Sequence, residues 1–211
     1  MKQKLRVAVF ASGKGSNFQV LIDEARAGRL GIDLVLLVSD QPECGAVERA
    51  GKAGVTAFVA PRKEYSSKGE MEAAILAVLQ ESGAELVVLA GYMRLIGPEL
   101  LEAYQGRMIN LHPSLLPSFT GLDALGQALE FGVKITGATV HLVDEGLDTG
   151  PIVAQRAFAI PEGVRRAEVE EILHGVEHEL LPEVVGLFAA GRIRVGGRRV
   201  IIEKEGGKSR G

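Results

Sequence analysis

Cysteine is nearly absent from this sequence: Cys44 is the only one in 211 residues. No intrachain disulfide can form, which predicts a protein of a reducing cytosol. No apolar run reaches the length of a membrane span. The short run at residues 7–11 stops at Ser12 and Gly13, before a secretory signal core could form. An excess of either charge is lacking too, since 24 Lys and Arg against 27 Asp and Glu leave a net −3. Nothing therefore marks the whole chain for nucleic acid. The locally basic stretch with Arg192, Arg194, Arg198 and Arg199 reads equally well as a solvated face. No His/Cys cluster supports zinc, and the acidic turn DEGLDTG lacks the alternating ligands of a calcium loop, so no metal is expected. Internal repeats and low-complexity linkers are missing as well. The expectation is a cytoplasmic protein that binds neither nucleic acid nor membrane, with one domain over residues 1–202 and a flexible tail at 203–211.

What is present is an ordinary globular composition, 46% apolar and 24% charged. Residues 5–11, 32–39, 55–60 and 85–90 read as compact buried strands, and residues 18–27, 45–53 and 70–81 as the helices between them. Such alternation predicts an α/β fold: a Rossmann-like, open, mostly parallel sheet with helices on both faces. With strand order 3-2-1-4, the loops at residues 12–17 and 91–94 would line one crevice at the carboxyl ends of the strands. A short helix at 98–104, a helix at 122–131, strands at 134–143 and 151–160, and a helical region at 165–190, broken at Pro182, complete the domain. Residues 191–202 would add a small hairpin.

The stretch RMINLHPSLLPSFTG, residues 107–121, carries the most chemistry. In an extended strand Asn110 and His112 project to one side while Leu111 turns to the core. Pro113 and Pro117 then force the chain out of the sheet along a stiff path. An amide donor beside an imidazole suits a reaction in which negative charge grows on an oxygen. The alternative is a structural histidine at a proline turn.

Three further segments compete with plainer readings. SGKGSN, between strand and helix, offers backbone N–H groups to a single phosphate. It is neither a Walker A loop nor a full dinucleotide fingerprint, because Phe18 stands where the third glycine belongs. A tight turn with Ser16 or Asn17 as helix cap is the rival reading. In DEGLDTGP, a carboxylate reaching His112 would fix its tautomer and sustain charge on the ring, and spacing leaves Asp144 and Asp148 equally open. In GYMRLIG, apolar Met93, Leu95 and Ile96 flank Arg94 at a strand end, which fits a flat heteroaromatic ligand as well as core packing. His141 reads evenly as structural or as part of a site, and His174, Glu177 and His178 as a solvated face or a phosphate-ribose contact.

In this order and spacing, ASGKGSN, AGYMRLI, INLHPSLLPSFTG and VDEGLDTGPI resemble the phosphoribosylglycinamide formyltransferases, folate-dependent enzymes of purine biosynthesis, over residues 5–202. The resemblance implies formyl transfer from 10-formyltetrahydrofolate to the amine of glycinamide ribonucleotide, in a monomer or weak homodimer. It implies a catalytic trio of Asn110, His112 and Asp148. Gly15, Ser16, Asn17 and Glu177 would hold the phosphoribosyl substrate. The folate would meet Met93, Arg94, Leu95, Ile96, Asn110, Asp144 and Glu145, with Lys68 nearby. After SLLPSF this chain departs from the family: Thr120 replaces a proline and Asp123 a histidine, which bears on how the loop over the site is ordered. A transfer-RNA formyltransferase would call for a further domain and a basic surface, and a formyltetrahydrofolate hydrolase for a regulatory domain.

Overall fold

The protein is described by a computed structural model over residues 3–204. The first strand, β1 (Leu5–Phe10), alternates its side chains between two faces, and the core divides accordingly. Val7 and Val9 join one apolar cluster while Ala8 and Phe10 join the other. The same division runs through β2 (Ile32–Ser39) and β4 (Leu86–Leu89): Leu37 and Val88 face one way, Leu36, Val38, Val87 and Leu89 the other. Strands buried on both faces need helices on both faces. Phe18, Leu21 and Ile22 of α1 (Ser16–Arg26) and Ala46 and Ala50 of α2 (Gly45–Ala53) cover the first. Met71, Ile75 and Leu79 of α3 (Lys68–Glu81) and Leu100 of α4 (Pro98–Ala103) cover the second.

With β3 (Ala57–Val59), β5 (Met108–His112), β6 (Ile135–Leu142) and β7 (Ile152–Ala159), the sheet has seven strands in the order β3-β2-β1-β4-β5-β6-β7. The expected 3-2-1-4 order is present. Pairing is parallel through β5 and antiparallel across β5–β6 and β6–β7. This reversal sets the end of β6 beside the start of β5, with Leu142 opposite Ile109. After β5 the chain leaves the sheet through a cis Leu116–Pro117 bond and enters α5 (Ala124–Phe131).

One expectation fails. The final helix, α6 (Arg166–Ala189), runs unbroken through Pro182. A proline inside a helix costs about 3 kcal/mol. Here Leu180, Leu181, Val184 and Val185 are all buried around it, and each such side chain contributes about 1.5–3 kcal/mol on leaving water, so packing prevails. The expected hairpin forms as β8 (Ile193–Gly196) and β9 (Arg199–Ile202). The tail expected to be flexible, residues 203–211, falls outside the described residues from 205 onward.

Candidate active site

Strand β5 delivers Asn110 and His112 to the same side, and Leu111 enters the core as alternation requires. Opposite them in the antiparallel register, His141 of β6 pairs with Asn110. The loop after β6 then returns Asp148 to this group, with a positive φ of 56°. Asp148 is the meeting point. Its Oδ2 lies 3.5 Å from His112 Nδ1, and its Oδ1 lies 3.5 Å from Asn110 Nδ2 and 3.7 Å from His141 Nε2. The side chains of His112 and Asp148 are 5% and 9% exposed, so their interaction is poorly screened. Asp144, the other open choice, turns away: it accepts the Gly146 N–H and the Thr149 hydroxyl within its own loop.

Hydrogen bonds fix the protonation pattern. A carbonyl only accepts, so His112 Nε2 donates to Phe119 O at 2.8 Å and His141 Nδ1 donates to Leu142 O at 2.8 Å. Burial holds the His141 imidazole below its ordinary range, against the opposing pull of the Leu142 carbonyl and the Asp148 charge. Neutral His141 therefore offers Nε2 as an acceptor, and Asn110 Nδ2 donates to it at 3.1 Å. The second hydrogen of that amide meets only the long Asp148 contact. When His112 carries two protons, its Nδ1–H points at Asp148 and both ring donors have acceptors. Amide, imidazole and carboxylate so held can stabilise charge on a carbonyl oxygen and relay a proton.

The loop over this group is tied down by backbone. Gly121 N–H donates to Asp148 Oδ2 at 2.8 Å, and Gln127 Nε2 donates to the Thr120 and Leu122 carbonyls. Asp123 caps α5 through the Gly126 N–H and pairs with Arg166 at 2.7 Å. Its carboxyl is held below the usual range by that guanidinium.

At the carboxyl end of β1, Gly15 takes the left-handed φ of 71° and serves as the N-cap of α1 with no side-chain cap bond, so neither Ser16 nor Asn17 is the cap. A Cβ at Gly15 would stand 2.8 Å from Ala46 Cα, so the loop packs directly on the start of α2. Asn17 instead donates to Glu177 Oε2 at 3.0 Å, across 160 residues of sequence. Burial raises the Glu177 carboxyl above its ordinary value despite the Asn17 bond. Asn17 Oδ1 is enclosed with no hydrogen-bond partner among the described residues. Beside Glu177, the His174 and His178 rings stack at 6.2 Å, and burial followed by the His174 charge lowers His178.

On the other side of the trio, Met93 and Leu95 are 61% and 68% exposed. A cavity of about 530 Å³ opens beyond the 91–97 loop, lined on one side by Pro98, Leu101, Glu102 and Gln105 and on the other by Val143, Asp144, Glu145 and Gly146. The Arg94 guanidinium pairs with Asp40 at 2.8 Å, and Lys68 pairs with Glu72 at 3.5 Å. Asp40, which clasps this loop together with Ser12, has no place in the sequence reading, where Ser12 figures only as the start of the 12–17 loop. Their position at strand carboxyl ends was the available signal.

Fold and constellation together define an α/β protein with a grouped amide, imidazole and carboxylate on β5 and the loop that follows β6. The model of the formyl transferase family matches residues 5–185. The chain belongs to that family. It is 47% identical to the phosphoribosylglycinamide formyltransferase of Bacillus subtilis (strain 168), over 85% of this chain and 92% of that one. The glycinamide ribonucleotide transformylase 1 structure from Symbiobacterium toebii superposes with a TM-score of 0.94 at 42% identity, covering 97% of this chain and 96% of the other. Its counterpart from Geobacillus kaustophilus gives 0.86 at 50% identity, covering 88% and 99%.

Proposed function

We propose that this chain transfers the formyl group of 10-formyltetrahydrofolate to the amine of 5′-phosphoribosylglycinamide, as a soluble cytoplasmic enzyme of purine biosynthesis. The observation that carries this reading is the meeting of Asn110, His112 and Asp148 on β5 and the loop after β6, next to β4, whose 91–97 loop is clasped by Ser12 of the 12–17 loop. The phosphate goes to the N-terminus of α1, where Gly15 is the N-cap and the first-turn N–H groups from Ser16 onward have no partner within the helix. Asn17 and Glu177 supply polar partners for the ribose, and the unpartnered Asn17 Oδ1 is an acceptor suited to a hydroxyl. The pterin lies against Met93, Leu95 and Ile96 and the 144–148 loop. There the apolar exposure and the cavity beside Val143 fit a flat, half-polar ring.

In the reaction the acceptor amine attacks the formyl carbon, and its lone pair forms the new C–N bond while the carbonyl electrons move to oxygen. Asn110 donates the amide hydrogen that Asp148 holds only loosely, and His112 supplies the neighbouring positive charge. Collapse breaks the bond to the folate nitrogen, which takes a proton while the ammonium of the acceptor loses one. Asp148, flanked by both donors, is the group placed to relay it.

The test is tetrahydrofolate release, measured with and without glycinamide ribonucleotide. Release that depends on the acceptor is the expected result. Release at the same rate without acceptor would make the chain a hydrolase, and no release in either case would sink the reading.

A further inference from the structure

A buried carboxylate that the trio does not use sits behind the pterin-side loop. Asp40 follows β2, and its side chain is 2% exposed. Its Oδ2 accepts Arg94 Nε at 2.8 Å and Gln41 Nε2 at 3.2 Å. Burying a charge this completely is costly unless it is paired, so Arg94 is bound where Asp40 puts it. Ser12, the next link, clasps the same loop twice. Its N–H donates to Gly91 O at 3.0 Å, and its Oγ accepts the Met93 N–H at 3.0 Å. The Ser12 hydroxyl also neighbours Asp40. Burial works to raise that carboxyl, but hydrogen bonding from Ser12, Arg94 and Gln41 outweighs it and keeps the group below its usual range. Oδ1 has no hydrogen-bond partner among the described residues, which leaves the charge more dependent on these neighbours. Further along, Gly97 packs so tightly on the buried Glu72 carboxylate that a Cβ there would collide with it. The loop is therefore gripped at Gly91, Met93, Arg94 and Gly97, while Met93 and Leu95 between these points stay exposed.

We propose that Asp40 is a positioning residue for the folate subsite: through Arg94 and Ser12 it sets the backbone of residues 91–96 against which the pterin binds. Asp40 touches no substrate. This inference rests on the formyl-transfer reading for the identity of the ligand. Because Ser12 also begins the phosphate-side loop, one buried carboxylate braces the wall between the two subsites.

The test is Asp40→Asn, which keeps the shape and removes the charge, with Ser12→Ala as a second variant that deletes one hydroxyl. For D40N the expected result is a KM for 10-formyltetrahydrofolate raised about ten-fold, since a charge-assisted bond becomes a neutral one, with kcat and the KM for glycinamide ribonucleotide each within about two-fold. S12A should move the same constant in the same direction by about three-fold. Tetrahydrofolate titration followed by calorimetry gives an activity-free readout and should weaken in step. Unchanged folate binding in D40N would overturn the proposal. So would a parallel fall in kcat and in both affinities, which marks general loosening. If D40N does not fold, S12A decides alone. If the wild type binds tetrahydrofolate but shows no acceptor-dependent turnover, the functional reading fails while the titrations still judge Asp40. If it does not bind tetrahydrofolate, both fall.

Discussion

Replacing Asn110 by alanine perturbs catalysis and stability by different and separately measurable amounts. The amide has two hydrogens: one is spent on His141 Nε2 at 3.1 Å, and the other is held loosely by Asp148 at 3.5 Å. Only the second is free to follow a developing oxyanion. Loss of one such donor costs about 3 kcal/mol, or roughly 10²–10³ in kcat. The first hydrogen has a structural consequence. Its removal leaves a buried imidazole nitrogen unpaired, worth about 1–3 kcal/mol, or a Tm lower by roughly 2–4 °C per kcal/mol in a chain of this length. Asn110→Ala should therefore remain folded with a modestly lower Tm while kcat falls at least about a hundred-fold and both KM values stay within about three-fold. Asn110→Asp should do worse than alanine, because it sets a second carboxylate against Asp148 in a poorly screened pocket. Steady-state kinetics and thermal melts on the two variants decide the matter. An Asn110→Ala enzyme with kcat within about five-fold of wild type would refute the role given to this amide.

His112→Ala removes the donor to Phe119 O and the neighbour of Asp148 together. Its kcat should drop by about 10² or more, with the circular dichroism spectrum unchanged, as near-ultraviolet and far-ultraviolet scans would check. Glu177→Gln should trade activity for stability. The folded state raises the Glu177 pKa from 4.5, so it holds the proton more tightly than the unfolded chain. That contribution is fully present below pH 4.5 and is lost as pH rises through the folded value. Near pH 7 the variant should melt above wild type, with the gap closing toward pH 4 and the KM for glycinamide ribonucleotide raised. A gap that widens in acid would contradict this sign. Gly15→Ala places a Cβ at a φ of 71° and 2.8 Å from Ala46 Cα. Strain of about 1–3 kcal/mol should appear as a lower Tm, with weaker binding of the phosphorylated substrate and little change toward folate.

The elements legible in the sequence were those whose periodicity matched their surroundings. β1, β2 and β4 read as unbroken apolar runs because both of their faces are buried, and α1 and α3 showed their inward stripes. The pairing of Asn110 with His112 followed from strand alternation alone. What stayed hidden depended on long-range contacts. Pro182 looked like a helix break because local propensity knows nothing of the packing that surrounds it. His141 could not be assigned because its partner Asn110 lies 31 residues away, on a neighbouring strand. Asp40 was invisible for the same reason: only the fold brings the end of β2 against Arg94. Asp144 and Asp148 were equivalent by spacing, and the positive φ that aims Asp148 at the histidines is a property of the folded loop.

That loop geometry also bears on the two departures from the family motif. Thr120 and Asp123 alter side chains, yet the bonds that reach the trio from this segment are made by backbone: Phe119 O on His112 and Gly121 N–H on Asp148. Backbone groups survive substitution provided the φ values do. Here those values are unusual, with Phe119 at 55°, Gly121 at 79° and Asp123 at 53°. Asp tolerates the left-handed region better than most residues and caps the following helix from it, and Arg166 secures the same carboxylate. Asp123 therefore supplies from a helix cap and an ion pair the ordering that this turn requires. The two backbone contacts, not the identity of the side chains around them, hold His112 and Asp148 in register.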